Sequence, residues 1–184
     1  MYIPDFEKNE IILGIYISLP SCYGEYIRNY RIEHGDGCAA LCPSHITLLP
    51  PTVFHRLDLP KIMEHLEDIT STYKPFWIKL DGVASFKPVS NVSYIKVVSG
   101  ADECKELHDK VLSSEFIDSS SERFSFHPHV TIAHDVSDSS FSVLENEFSD
   151  FNSAFICSKI CVDLLDTDGS STNIAVLPLK NLSN

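Results

Sequence analysis

The sequence predicts an α+β fold of two pseudo-duplicated lobes, and three observations carry that expectation. A strand-like run with a His-x-Thr core, followed by a helical pattern, occurs twice: "SHITLLPP" (Ser44 to Pro51) and "HPHVTIAH" (His127 to His134). Short β-rich runs alternate with amphipathic helical runs along the chain. No low-complexity tract or long linker divides the 184 residues, 43% of them hydrophobic and 22% charged, so residues 1–184 are expected to form a single domain with a sizeable core.

In chain order, "IILGIYISL" (Ile11 to Leu19) is a β-branched apolar run closed by Pro20. The following "YGEYIRNYRIEHG" places Tyr23, Tyr26, Ile27 and Tyr30 at helical spacing before Gly35. "SHITLLPP" then reads as a strand ended by Pro50 and Pro51. In "LDLPKIMEHLEDITSTYK", Ile62, Leu66 and Ile69 share one helical face, and the helix stops before Pro75 because the residue preceding proline avoids helical geometry. "FWIKLDGVASF" and "VSYIKVVS" are strands on either side of the turn "KPVSN", and "ADECKELHDKVLSS" is a helix. The polar "DSSSERFSF" leads into "HPHVTIAH", a helix is expected from Ser139 to Phe151, and "AFICSKICVDLLD" with "TNIAVLPL" forms a closing hairpin around "TDGSS".

Composition narrows the function classes. The first ten residues are acidic where a secretory signal is basic, and no apolar run approaches the ~20 residues of a membrane span. A cytoplasmic protein is expected, with its six cysteines as buried thiols in a reducing compartment. The formal charge of -12 opposes a long polyanion, so an extended nucleic-acid surface is not expected; a phosphate ligand would be small or met at a local site.

The repeated motif has a geometric reading. Residues i and i+2 of a strand share a face, about 7 Å apart. His45 and Thr47 therefore point one way while Ile46 and Leu48 point the other, and His129 and Thr131 stand likewise against Val130 and Ile132. If the two strands face each other across a cleft, two imidazoles and two hydroxyls converge on a phosphate-sized space. Histidine titrates near neutrality, so one ring can take a proton while the other gives one. In-line cleavage of a phosphodiester needs that pair, with hydroxyls donating to the non-bridging oxygens. The chemistry calls for no metal and no cofactor, and the residues leave open which histidine is base and which acid.

The pair "HITL" and "HVTI", the second within "FHPHVTIAH", resembles the signature of the 2H phosphoesterase superfamily, in particular its bacterial RNA 2',3'-cyclic phosphodiesterases, also called the 2'-5' RNA ligase family. The resemblance implies a bilobal fold, two mainly antiparallel sheets flanked by helices around a central cleft. It implies an enzyme that opens 2',3'-cyclic phosphates or cleaves 2'-5' linkages, with His45, Thr47, His129 and Thr131 catalytic and a small nucleotide or RNA end as partner of a monomer. That branch often closes its second motif with arginine; His134 stands there in this chain, which makes a cationic contact to phosphate absent or pH-dependent. Tyr94 and Phe126 are the candidates for stacking on a base, and His127 for a rim residue that orients the site.

Alternatives remain. A non-catalytic nucleotide or RNA-end binding module would use the same cleft, although binding alone needs no pair of proton-transfer groups. Ligation would have to run as the reverse of cleavage, since no lysine motif for nucleotidyl transfer is present. Cys38 and Cys42 with His45, or Cys157 and Cys161, have spacing some zinc sites tolerate but lack the glycine-rich knuckle context; Cys157 and Cys161, sharing a face of one strand, read as small core residues. His34, His55, His65 and His108 are expected to be solvated.

Overall fold

The computed structural model describes residues 3–117, 125–134 and 138–180. Among these residues the order is β1 (Glu10–Ser18), α1 (Ser21–Glu33), α2 (Cys38–Leu41), β2 (His45–His55), a 3-10 turn (Arg56–Asp58), α3 (Leu59–Thr72), β3 (Phe76–Ser85), β4 (Val92–Ser99), α4 (Ala101–Leu112), β5 (His129–His134), α5 (Asp138–Glu147), β6 (Asn152–Cys157), β7 (Lys159–Leu165) and β8 (Ser171–Pro178). The greater part of the expected "DSSSERFSF" loop lies outside the described residues. No described helix is long and apolar enough to cross a membrane.

The strands form one antiparallel sheet in the order β6-β3-β4-β5-β2-β1-β7-β8. The two sheets expected from the sequence are its two four-stranded halves. They join where β2 and β5 meet at a single register pair, Ile46 with Val130. In each half the motif strand follows a strand and a helix and pairs with that strand: β1, α1, β2 in the first and β4, α4, β5 in the second.

Alternation along the strands sorts the faces. Ile46, Leu48, Val130 and Ile132 are fully buried in one core cluster with Ile62 and Leu66 of α3 and Leu107 and Val111 of α4. The opposite face is left to His45, Thr47, His129 and Thr131. Burying a Leu or Ile side chain contributes about 1.5–3 kcal/mol, so the register that buries Ile46 and Val130 also fixes the side on which the histidines stand.

Several expectations need correction, among them the burial of all the cysteines, since Cys22 is exposed and Cys42 half-buried. Pro50 and Pro51 do not end β2, which runs on to His55. The register passes from Ile15 with Leu49 to Leu13 with Thr52, so both prolines lie opposite Gly14 in a bulge, where a missing N–H costs no ladder bond. "AFICSKICVDLLD" is not one strand: β6 pairs with β3 in the second half, and after Ser158 β7 pairs with β1 in the first. Cys157 and Cys161 are therefore buried on different strands. Finally, His108 is buried, donates through Nδ1 to Leu48 O (2.7 Å) and stacks on Phe126 (3.9 Å), tying α4 to β2. His65 likewise lies at Lys110 O (3.1 Å), at the end of α4, while His34 and His55 are exposed as expected.

Gly100, the residue before α4, has φ of +83°, and a Cβ there would stand 2.4 Å from Trp77 O. Gly100→Ala is expected to destabilise by about 2 kcal/mol or more, from left-handed strain and displaced backbone together. A urea midpoint unchanged from the parent's would contradict this.

Candidate active site

The cleft is a cavity of about 980 Å³ across the seam, on the face of the sheet away from the core. His45, Thr47, His129, Thr131 and His134 all line it. A space of that size takes a nucleotide-sized ligand.

Each motif histidine is built the same way. His45 Nδ1 lies 2.7 Å from Pro43 O, and His129 Nδ1 lies 2.7 Å from His127 O, the carbonyl two residues upstream in both cases. A carbonyl can only accept, so Nδ1 carries the proton in each ring and Nε2 is left with its lone pair. For His45 that nitrogen is 3.1 Å from Thr47 Oγ1, which donates to it in the neutral state. A tyrosine of the adjoining strand flanks each ring. Tyr16 pairs with Thr47 and has its ring 5.1 Å from His45; Tyr94 pairs with Thr131 and has its ring 5.2 Å from His129.

The walls differ between the halves. Tyr16 donates to Asp163 Oδ1 (3.0 Å), and the same carboxylate accepts from Ser171 (2.9 Å) and Asn173 (2.8 Å). Burial, with that carboxylate beside it, pushes the Tyr16 phenol far above its ordinary value, so it remains a hydroxyl. In the second half Phe86 stacks on Tyr94 (4.2 Å), and both rings present themselves to His129 at 4.8 and 5.2 Å. Tyr94 is thus buried beside the His129 ring. His127 is exposed, with its ring against Phe86 and Tyr94 and its carbonyl holding His129. Phe126 is not brought to the cleft, because it is occupied with His108 in the core.

At the far end of β5, His134 Nδ1 meets Asp36 Oδ2 at 2.9 Å, and Arg31 Nε donates to the same oxygen at 2.9 Å. Burial works against the Asp36 carboxylate. Hydrogen bonds from His134 and Arg31, and the charges of both, outweigh it and hold its pKa below the usual carboxylate value. The local fold explains the pairing. Gly35 ends α1 with φ of +82°, its N–H bonds Ile32 O, and Asp36 N–H reaches back to Arg31 O. This helix-terminating turn folds Asp36 onto the residue whose side chain it holds.

Burial lowers the pKa of both motif histidines below 6.5. For His45 the Pro43 carbonyl opposes the shift and the Arg31 charge adds to it; for His129 the His127 carbonyl opposes it and the rings of His127, His45 and His134 add to it. In the unfolded chain both rings titrate near 6.5, so below that value the unfolded state binds more protons. Stability is therefore expected to be full above about pH 6.5 and to decline as pH falls through the lowered folded values. Histidine C–H NMR checks the premise: two rings titrating at or above 6.5 would refute it.

Tyr16, Arg31, Asp36, Phe86 and Asp163 were not singled out from the sequence. The signal for Arg31 and Asp36 existed, since "RIEHGD" carries glycine where a helix ends with arginine and aspartate on its two sides. Tyr16, Phe86 and Asp163 sit in apolar or turn contexts that look like any other strand.

Comparison with known proteins adds a lineage. The model of the 2'-5' RNA ligase superfamily matches residues 20–169. A Bacillus licheniformis protein named for an inferred phosphoesterase activity is 32% identical over 126 residues, 68% of this chain and 73% of its own. In three dimensions the chain is similar to Escherichia coli LigT complexed with 3'-AMP (TM-score 0.65, 16% identity, 92% of this chain and 98% of that one). It is also similar to LigT complexed with NADP+ (TM-score 0.66, 17% identity, 94% and 99%).

Proposed function

This chain belongs to the 2'-5' RNA ligase superfamily, a family of 2H phosphoesterases, and from that premise we propose that it is a metal-independent phosphodiesterase that opens 2',3'-cyclic phosphates or cleaves 2'-5' linkages. The observation that carries the reading is the matched pair of imidazoles, each with Nδ1–H tied to a carbonyl and Nε2 directed to one cleft. One histidine takes a proton from the attacking water while the water oxygen bonds to phosphorus. The other, protonated, delivers its proton to the ribose oxygen as the bond from phosphorus to that oxygen breaks. Thr47 and Thr131 donate to the non-bridging oxygens, whose charge is held through the transition state. A small nucleotide or RNA end fits the cleft volume, and the nucleotides in the LigT complexes support that ligand class here. Since burial lowers both imidazoles, the singly protonated pair is most populated below pH 6.5, and kcat/KM is expected to peak on that side.

The test is an EDTA-treated turnover assay on 2',3'-cyclic nucleotides, a cyclic-phosphate-ended RNA and a 2'-5'-linked dinucleotide. Turnover of any of them is the expected result and ranks the substrates. Binding of the same compounds without turnover would replace the enzyme by a nucleotide-binding module.

A further inference from the structure

Arg31 is a cleft residue that the paired motifs leave unexplained. It stands on the buried stripe of α1 with Gly24 and Ile27, at a spacing where an apolar residue would ordinarily sit. It is 4% exposed, yet it lines the cavity with His45 and His129. A buried guanidinium needs acceptors for five N–H donors. Among the described residues the one side-chain acceptor of Arg31 is Asp36 Oδ2, reached through Nε. Its terminal nitrogens have no acceptor there, and they open onto the cleft instead of being sealed in protein.

Charge points the same way. The chain carries a net -12, and Arg31 is the one lysine or arginine among the described residues lining the cavity. The rings of His45 and His129 are biased toward neutrality by burial. Asp36 fixes the guanidinium from its Nε side and also holds His134, so the carboxylate is shared while the planar edge of Arg31 faces the open space. Such an edge matches the oxygens of a phosphate with two parallel N–H bonds.

We propose that Arg31 is the phosphate-binding cation of this cleft, delivered by α1 and held in place by Asp36 as a positioning residue. The inference rests on the cleft being a phosphate site, as in the function proposed above.

Inorganic phosphate is the probe. In the parent protein, phosphate should shift one of the four arginine side-chain Nε–H signals, the one absent from Arg31→Lys. Calorimetric affinity for phosphate should weaken at least tenfold in the Arg31→Gln/Asp36→Asn pair, which removes both charges and leaves neither unpaired, and less in Arg31→Lys. An unperturbed Arg31 signal at saturating phosphate would overturn the proposal. So would parent-like phosphate affinity in the double variant with an intact melting curve. Should that variant not fold, the signal in the parent decides. Turnover of a cyclic phosphate with Arg31 untouched by phosphate would leave the enzyme standing without this residue. Phosphate seated on Arg31 with no ester turned over would leave the residue standing without the enzyme.

Discussion

Alanine in place of either His45 or His129 is expected to lower kcat by about 10²- to 10⁴-fold, with little change in KM, and the double replacement should cost scarcely more than the worse single one. In the mechanism proposed above the two rings act on one event from opposite sides of phosphorus, so removing either leaves the other without a complementary step. Little of this loss should come from misfolding, because the imidazoles occupy the cleft face while Ile46, Leu48, Val130 and Ile132 anchor the same strands in the core. Asparagine is the sharper replacement. Its side-chain amide can keep the bond that Nδ1–H makes to Pro43 O or His127 O, but it offers nothing at the Nε2 position. His45→Asn and His129→Asn should thus be as inactive as the alanine variants while melting closer to the parent. Kinetic losses that simply add in the double variant would mean the histidines work independently, and the acid/base pairing would have to be abandoned.

Thr47→Val and Thr131→Val are each expected to lower kcat by about 10²- to 10³-fold, the usual loss when one donor to a developing anionic charge is removed. The exchange keeps shape, and both hydroxyls lie on the cleft face, so the effect should appear in turnover and not in unfolding. The two replacements should also differ. Thr47 Oγ1 is 3.1 Å from His45 Nε2; its loss withdraws a donor to the neutral ring and should raise the His45 titration slightly. Parallel measurement of kcat and the histidine NMR titration separates the roles. Full turnover in both valine variants would show that the transition-state charge is held elsewhere.

The sequence made most of the elements and five of the cleft residues, His45, Thr47, His129, Thr131 and His134, legible, for a physical reason. The two motif strands alternate polar and apolar residues over His45–Leu48 and His129–Ile132, and α3 and α4 have their apolar residues at helical spacing, so local pattern and final burial agree. Where the expectation failed, a partner distant in sequence decided. Pro50 and Pro51 are tolerated because Gly14 lies opposite them. The apolar run through Ser158 divides because its two ends find β3 and β1 in different halves. Tyr23, Tyr26 and Tyr30, spaced like a core face, pack beside the core against Phe148 and Phe151, while Arg31 takes the deeper position. Phe126 looked like a base-stacking ring, and its neighbour His108 came from another element altogether.

The crossing at Ser158 bears on how the chain is made. The half bearing His129 is one uninterrupted stretch, β3 through β6, and can close once Cys157 has left the ribosome. The half bearing His45 cannot. Its β1 gains its second neighbour only when β7 arrives, Ile12 pairing with Leu165, after the whole His129 half has been synthesised. Until then β1 offers a bare edge flanked by Ile11, Leu13 and Ile15, a template for pairing with another nascent chain. Such distant pairing is slow to form. β7 and β8, translated after the His129 half, therefore complete the half begun before it, and a chain stopped short of Lys159 would carry a finished His129 half beside an unfinished, aggregation-prone His45 half.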